Sequence, residues 1–283
     1  MKKSASIWLV TNATSGSNNP EALAALEKAA RDAGISIERT IHFPDDDLPS
    51  ATELDDAGVD TVAVFGGDGT VNALIRSLYG WRGAVLVLPG GTKNLLFHRL
   101  HGQRDLGEIF RALALGEVRR SRPGIVRCPQ GDGLAGLMAG PGTAWYDVRE
   151  AMRQADLAAV ASGAAQAIGA SLAAPMIACS DPALGRKEGY PLIMLTPHDD
   201  GFVVDAYHAE TVQDFLAQGL ALLRREFRDG PSECLGIVPE IELASVSGDP
   251  LGLLIDGEKV DCAAKERFTL VPCEVDLLST EES

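Results

Sequence analysis

The chain has 283 residues, of which 46% are hydrophobic and 23% are charged, proportions typical of an ordinary globular protein. Its formal net charge of −15 argues against a general nucleic-acid-binding protein, because such proteins gain affinity by neutralising phosphates with lysine and arginine. The same charge argues against tight docking on anionic membranes. Four arginines between residues 119 and 127 form a basic run, which we interpret as a solvated strand edge.

The cysteines and the hydropathy pattern predict a location in the cytoplasm. The five cysteines are widely spaced and include no C-x-x-C pair, which argues against a disulfide framework and against a zinc site. No run of about 18 apolar residues is present, so the sequence predicts no membrane-spanning segment. We therefore expect a cytoplasmic protein that makes at most transient, peripheral contact with a membrane surface.

The first part of the chain alternates predicted strands with predicted helices. A strand at residues 7–11 leads through a polar turn to a helix at residues 20–33, with Pro20 in its first turn and Gly34 just past its end. A second strand is predicted at residues 35–41. Alternation of this kind is typical of a parallel sheet covered by helices.

A glycine turn follows the third predicted strand. Residues 61–65, Thr-Val-Ala-Val-Phe, predict a buried strand, and the sequence Gly-Gly-Asp-Gly at residues 66–69 ends it. We expect Thr70 to cap a helix that begins at Val71. A strand, a glycine turn and a helix N-terminus together form an anion site, because backbone N–H groups and the helix dipole face the ligand. Asp68 would repel phosphate, so it indicates a cation or a proton to be accepted there.

A second unit of the same kind comes next. Residues 84–88 predict a strand, Pro-Gly-Gly-Thr-Lys-Asn follows at residues 89–94, and a helix is predicted from Leu95. Two consecutive strand–turn–helix units place both turns at the carboxyl edge of a parallel sheet, where ligands bind in open α/β folds.

The second half of the chain is richer in predicted strands. Further helices are predicted at residues 105–115, 145–161, 164–172 and 211–227. Strands are predicted at residues 118–127, 133–139, 176–180, 192–196, 202–207, 235–243, 251–255, 268–271 and 275–278. Alternating units followed by a strand-rich half predict two domains with a boundary near residues 118–130.

The two turns, Gly66-Gly-Asp-Gly-Thr70 and Pro89-Gly-Gly-Thr-Lys-Asn94, resemble the diacylglycerol kinase catalytic-domain superfamily. This group includes bacterial lipid kinases and sphingosine kinases, and is more distantly similar to NAD kinases and phosphofructokinases. The resemblance implies an α/β, Rossmann-like N-terminal domain and a strand-rich, β-sandwich C-terminal domain, with the active site in the cleft between them. We accordingly expect a nucleotide-binding domain at residues 1–122, an acceptor domain at residues 123–270, and a segment at residues 271–283 that returns to the first domain.

The resemblance also implies which residues carry the chemistry. Asn12 and Ser15 are similar to a family turn that contacts nucleotide, although Ala13 replaces its proline. The implied ATP-binding residues are Asn12, Ser15, Gly66, Gly67, Gly69, Thr70, Gly91, Thr92 and Asn94. Asp68 is implied either to hold Mg²⁺ through water or to accept the proton of the attacking hydroxyl.

Asp256-Gly257-Glu258 is a third candidate motif. Its pattern alone predicts a hairpin with Asp-Gly at the turn. The same triplet recurs in lipid kinases, where the glutamate faces the phosphates and the acceptor hydroxyl. The resemblance therefore makes Glu258 the second catalytic carboxylate and a candidate general base.

The expected function is ATP-dependent, Mg²⁺-assisted phosphorylation of a hydroxyl on a lipid or lipid-like alcohol, with the nucleotide and this acceptor as partners. Two departures from the family pattern qualify it: Ala73 and Leu95 stand where the family usually has Glu and Asp. A catalytically weak or inactive nucleotide-binding homologue with a regulatory role is therefore an alternative. An NAD kinase-like enzyme is a second alternative, although the second turn is more similar to the lipid branch.

Overall fold

The structure is a computed structural model that describes residues 6–12, 19–91, 94–144, 176–207 and 232–281. Two of the expected site residues, Ser15 and Thr92, lie outside these ranges, as do the helices predicted at residues 145–161, 164–172 and 211–227. The chain divides into two compact units: the first is Met1–Pro123 with Pro272–Ser283, and the second is Gly124–Val271.

The first unit contains helices and a mainly parallel sheet. Its helices are α1 (Pro20–Asp32), α2 (Ala51–Asp56), α3 (Asp68–Ser77), α4 (Leu95–His101) and α5 (Leu106–Leu115). The strands within Met1–Pro123 are β1 (Ser6–Thr11), β2 (Ser36–His42), β3 (Thr61–Gly66), β4 (Ala84–Pro89) and β5 (Arg119–Ser121).

Strands make up most of the described part of the second unit. They are β6 (Gly124–Cys128), β7 (Gly131–Gly133), β8 (Leu137–Ala139), β9 (Ile177–Asp181), β10 (Ala183–Leu184), β11 (Leu192–His198), β12 (Gly201–Tyr207), β13 (Ser232–Val238), β14 (Glu240–Ser245), β15 (Gly252–Ile255), β16 (Glu258–Asp261) and β17 (Lys265–Pro272). A short 3₁₀ helix spans Pro141–Ala144. The last strand of the chain, β18 (Asp276–Ser279), belongs to the sheet of the first unit.

The sheet of the first unit has the strand order β2-β1-β3-β4-β18-β5. All neighbouring strands are parallel except β18 and β5, which are antiparallel. Almost every residue of β1, β3 and β4 is buried. Because successive side chains of a strand point to opposite faces, both faces of these central strands are covered. Gly66 of β3 lies opposite Pro89 of β4, so the two strands end side by side at one edge.

The described residues of the second unit form two six-stranded sheets, with the orders β10-β9-β14-β17-β6-β7 and β13-β12-β11-β8-β15-β16. Buried and exposed residues alternate along β14 and β17, as expected for strands with one buried face. Side chains of both sheets pack into one hydrophobic core, which includes Phe202 of β12 and Phe268 of β17. The unit is thus built around a core shared by two sheets.

The basic run of residues 119–127 does not form one positive patch. Arg122 and Arg120 both pair with Asp276, at 2.7 Å and 3.5 Å. Arg127 belongs to the second unit and makes a bidentate ion pair with the buried carboxylate of Asp132. Among the described residues, every helix is too short or too polar to cross a membrane.

His101 ties helix α4 to the end of the chain. The side chain is fully buried, and its Nδ1 lies 3.1 Å from the hydroxyl of Thr280. Burial, reinforced by the positive charge of Arg104, lowers the pKa of His101 from 6.5 to about 4. The folded protein therefore holds His101 neutral over a range of pH in which the unfolded chain protonates it.

This difference predicts that His101 makes stability depend on pH. Because the folded-state pKa lies below the unfolded-state value, the contribution is complete above pH 6.5 and is lost as the pH falls towards about 4. We expect it to amount to about 3 kcal/mol of unfolding free energy at most. Urea unfolding of the wild type and of His101→Gln at several pH values measures it: the gap between them should shrink or reverse as the pH falls. Arg104→Gln should narrow the pH range over which His101 affects stability, because it removes a positive charge that lowers the pKa of His101. Unfolding free energies of the wild type and His101→Gln that change in parallel with pH would contradict this prediction.

Candidate functional site

The first glycine turn leads directly into helix α3. The helix begins at Asp68, and Gly67 is its N-cap with extended backbone angles of φ −77° and ψ 170°. The prediction that Thr70 caps a helix beginning at Val71 is wrong, because the carbonyl of Gly67 already accepts from the amide of Val71 at 3.0 Å. The N-cap position carries no side chain and has no side-chain hydrogen bond. A ten-residue helix thus presents an N-terminus without a side-chain cap at the sheet edge.

The second turn packs against the first, backbone to backbone. A Cβ atom on Gly90 would lie 2.5 Å from the backbone nitrogen of Gly66, and a Cβ atom on Gly91 would lie 2.7 Å from the Cα of Gly67. These separations are shorter than Cβ contacts in real proteins, and the opposing atoms are backbone atoms that no side-chain rotation can move. Glycine is therefore required at both positions for the turns to touch.

Asn94 gives the second turn its shape. Its backbone is left-handed, with φ 50° and ψ 44°, a conformation that asparagine tolerates better than most residues. Its side-chain Oδ1 accepts from the amide of Gly91 at 2.8 Å, and its Nδ2 donates to the carbonyl of Gly91 at 2.9 Å. In this structure the Asn94 side chain closes its own turn instead of capping α4.

Asp68 links the starts of two helices. Its Oδ1 accepts a hydrogen bond from the backbone amide of Leu95, the first residue of α4, at 3.2 Å. The two residues are 27 positions apart in the chain and are brought together by the packed turns. The carboxylate is thus oriented by the second turn while it belongs to the first.

The end of strand β1 joins the same assembly. The Nδ2 of Asn12 donates to the hydroxyl of Thr70 at 2.8 Å, and the amide of Asn12 donates to the carbonyl of Phe65 at 3.3 Å. A Cβ atom on Gly66 would lie 3.0 Å from the Cβ of Thr70, so Gly66 leaves room for this buried threonine. Three strand ends, those of β1, β3 and β4, therefore meet in one hydrogen-bonded group.

The structure places most expected nucleotide-binding residues in this group. Those it brings together are Asn12, Gly66, Gly67, Thr70, Gly91 and Asn94, with Asp68 among them. Gly69 is exposed in the first turn of α3. Glu258, by contrast, lies in the second unit.

The predicted hairpin around Glu258 is confirmed. Strands β15 and β16 are antiparallel, with Ile255 opposite Glu258. The two turn residues have positive φ, 48° at Asp256 and 89° at Gly257, as a two-residue type I′ turn requires. Glu258 is exposed as the first residue of β16.

One contact of this hairpin has no signal in the sequence pattern. The carboxylate of Asp256 accepts from the backbone amides of Leu134 at 2.9 Å, Ala135 at 2.8 Å and Gly136 at 3.0 Å. The strand predicted at residues 133–139 is interrupted here, because these three amides bind a carboxylate instead of a neighbouring strand. Only Leu137–Ala139 continues as β8.

The acidic residues of the site suit a metal ion that is held partly by substrate phosphates and water better than a metal ion that is held by protein side chains alone. No group of three or more His, Cys, Asp or Glu side chains within the described ranges could hold a metal ion. Ala73 is half-buried, and Leu95 is 49% exposed beside Asp68. Mg²⁺ is commonly held by one or two carboxylates together with water and substrate phosphates, and the single carboxylate of Asp68 fits that arrangement.

The packed turns predict a strong effect of one methyl group. Gly90→Ala places a Cβ against the backbone of Gly66, so we expect it to lower the unfolding free energy by about 1–3 kcal/mol. Gly107→Ala is the matched control, because its Cβ would meet only the Asp105 carboxylate, at 3.3 Å. Urea unfolding of both variants measures the difference. Equal stabilities would mean that the two turns do not touch as described.

Comparison with known proteins agrees with this geometry. Residues 6–126 match the family model of the diacylglycerol kinase catalytic domain. No curated protein matches the chain.

Three solved structures from Bacillus anthracis str. Sterne share the fold. One is of a diacylglycerol kinase, with a TM-score of 0.58 and 14% identity over 97% of both chains. The second is of a proposed diacylglycerol kinase, with a TM-score of 0.60 and 15% identity over 97% of both chains. The third, also of a proposed diacylglycerol kinase, has a TM-score of 0.57 and 14% identity over 96% of both chains. The chain has the fold of these proteins, an α/β N-terminal region followed by a strand-rich C-terminal region, and its residues 6–126 match the diacylglycerol kinase catalytic domain.

Proposed function

We propose that the protein is an ATP-dependent kinase that phosphorylates a hydroxyl group of a lipid or lipid-like alcohol. The observation that carries this proposal is the pair of glycine turns, locked backbone to backbone beside the N-terminus of α3, with Asp68 joining them. The match of residues 6–126 to a lipid kinase family supports it.

We further propose that the two compact units are the two expected domains. The parallel order β2-β1-β3-β4 supports a Rossmann-like nucleotide-binding domain, and the core shared by two sheets supports a β-sandwich acceptor domain. The proposed boundaries follow residues 122 and 270, and the compact units divide one residue later at each place. The pairing of β18 with β4 and β5 supports assigning residues 271–283 to the first domain.

The nucleotide phosphates would be held mainly by backbone groups. Gly67, Gly69 and Thr70 surround the N-terminus of α3, where the helix dipole favours negative charge. Gly91, Thr92 and Asn94 would supply the second turn. Asn12 would act through the bond that fixes the Thr70 hydroxyl, and Ser15 would contribute from the turn after β1.

Two carboxylates, those of Asp68 and Glu258, would hold the metal ion and accept the proton. Mg-ATP, when bound, supplies the phosphoryl group and offsets its charge. Asp68, oriented by the Leu95 amide, would hold Mg²⁺ through water at the phosphate side of the site. Glu258 is exposed at the start of β16, the outermost described strand of its sheet, and would accept the proton of the acceptor hydroxyl.

The first experiment measures ADP formation from Mg-ATP in the presence of a lipid extract from the source organism. We expect lipid-dependent turnover by the wild type and a loss of about 100-fold or more in Asp68→Asn, because a charge-bearing ligand is removed. Asp105→Asn is the matched control, since Asp105 only caps α5 and asparagine caps equally well. ATP binding without turnover in the wild type would overturn the kinase proposal.

Substitution of Asp68 should change how activity depends on Mg²⁺, whereas substitution of Glu258 should change how activity depends on pH. If Asp68 holds the metal, raising the Mg²⁺ concentration should partly rescue Asp68→Asn and should not rescue Glu258→Gln. If Glu258 accepts the proton, Glu258→Gln should flatten the acidic limb of the pH–kcat profile. The opposite pattern would exchange the two roles.

Ala73 and Leu95 support a second candidate, a catalytically weak homologue. In the described turns Asp68 is the one carboxylate, and it binds the backbone amide of Leu95, a residue that is itself exposed. If missing acidic groups limit turnover, the double variant Ala73→Glu/Leu95→Asp should raise kcat by about tenfold or more at saturating Mg²⁺. An unchanged or lower kcat would favour an enzyme whose site is complete as it stands.

A further inference from the structure

The hairpin that carries Glu258 is fastened to a distant loop by one carboxylate. Both oxygens of Asp256 are used: Oδ1 accepts from Ala135 and Gly136, and Oδ2 accepts from Leu134. The amide of Asp256 in turn donates to the carbonyl of Gly136 at 3.0 Å. The loop of residues 134–136 and the turn at Asp256 are therefore joined in both directions by four hydrogen bonds.

Consecutive backbone amides that converge in this way form a concave anion site. Here the anion is the chain's own carboxylate, and hydrogen bonds to an ionised acceptor are stronger than those between neutral groups. Gly136 has a φ of 148°, and a Cβ there would lie 2.8 Å from the carbonyl oxygen of Leu195. The loop thus fits against β11 only because residue 136 is glycine.

The loop is itself held on both sides. It runs directly into β8, which lies between β11 and β15 in the sheet. Leu137, the first residue of β8, lies opposite Leu195 on one side and Ile255 on the other. The amides that bind Asp256 therefore belong to a fixed part of the second unit.

The strand that carries Glu258 is less buried than this loop's neighbours. β16 has four residues and is the outermost of the described strands in its sheet, and its residues are exposed or only half-buried. Its neighbour β15 is buried at three of four positions. β16 therefore buries little of its own side-chain surface, and Asp256 lies only two residues before Glu258.

An Asp-Gly turn does not in itself require this carboxylate. Position 256 needs a residue that tolerates a positive φ, and glycine or asparagine would meet that need. The carboxylate adds the bonds to residues 134–136, which the hairpin conformation does not demand. Its contribution lies in where the hairpin is placed.

We propose that Asp256 is the positioning residue for Glu258: its carboxylate fastens the β15–β16 hairpin to residues 134–136 and thereby fixes the Glu258 carboxylate. The kinetic part of this inference rests on the proposed function, whereas the fastening itself does not. Asp256 acts through Glu258 and does not itself touch the reacting atoms.

A graded series of substitutions tests the inference. Asp256→Asn keeps one side-chain oxygen for Ala135 and Gly136, whereas Asp256→Gly keeps the turn and removes all three side-chain bonds. We expect kcat to fall about tenfold in Asp256→Asn and about 100-fold in Asp256→Gly, since small displacements of a reacting group have effects of this size. The KM for Mg-ATP should stay within about twofold of the wild type, because the glycine turns are unchanged.

Asp200→Gly is the matched control. Asp200 lies in the hairpin turn between β11 and β12, in the same sheet, where His198 pairs with Gly201. Its side chain is exposed, so the variant makes the same chemical change without releasing a second loop. Its kcat should equal that of the wild type.

A double-mutant cycle separates positioning from general destabilisation. If Asp256 acts through Glu258, Asp256→Gly should add almost nothing to the defect of Glu258→Gln. If the loss of kcat in the double variant instead equals the product of the two single losses, Asp256 has a structural role alone, and the proposal is overturned. Asp256→Gly with wild-type kcat would overturn it as well.

Hydrogen exchange gives a readout that needs no activity. The amides of Leu134, Ala135 and Gly136 donate to Asp256, so they should exchange at least about tenfold faster in Asp256→Gly than in Asp200→Gly. The amides of β16 should follow the same trend. Unchanged exchange would overturn the fastening. If the wild type shows no turnover, the proposed function fails, and the exchange result alone supports or overturns the fastening.

Discussion

Direct contact between two backbones is the constraint on which the site of the first unit depends. Gly90 and Gly91 lie against Gly66 and Gly67 at distances that exclude a Cβ atom. This contact keeps the starts of α3 and α4 close enough for Asp68 to reach the amide of Leu95. A side chain on either glycine would separate the turns, and Asp68 would lose the bond that orients it. The glycines matter here for the space that they leave open.

Two polar side chains, those of Asn94 and Asp256, bind backbone groups at very different separations along the chain. Asn94 binds the backbone of Gly91, three residues earlier, and so completes a single turn. Asp256 binds backbone amides about 120 residues earlier and joins two loops of one sheet. Both residues have positive φ. A hydrogen bond to a neighbouring residue shapes a turn, whereas hydrogen bonds to a distant part of the chain determine where a turn is held.

The sequence predicted the parts of the structure that follow from local pattern. The strands before both glycine turns, the start of α4 at Leu95 and the hairpin at Asp256-Gly257 all match the structure closely. Each depends on neighbouring residues alone: apolar β-branched runs, glycines at strand ends, and an Asp-Gly pair between apolar strands. The two-turn pattern was also specific enough to indicate the kinase family.

Other parts depend on tertiary contacts that no short pattern contains. Thr70 has the chemistry of a helix cap, yet its hydroxyl is bound by Asn12 from another strand. Residues 134–136 resemble part of a strand, yet Asp256 diverts their amides. His101 lies on the short helix α4, yet its side chain is fully buried and its Nδ1 lies beside the hydroxyl of Thr280, which is 179 residues away in the chain. In each case a partner from elsewhere in the fold replaces the local one.

The position of β18 has a consequence for how the protein is made. This strand lies between β4 and β5, and its pairings with these two strands join residues 276–279 to residues 84–85 and 119–121. A growing chain therefore leaves β4 with an open edge, and β5 without this neighbour, until residues 276–279 have been made. Loop closure over such a separation is slow, and an uncovered parallel edge invites association with other chains. The sheet of the first unit is thus completed only after residues 276–279 have been made, and until then the edge of β4 is exposed to other chains.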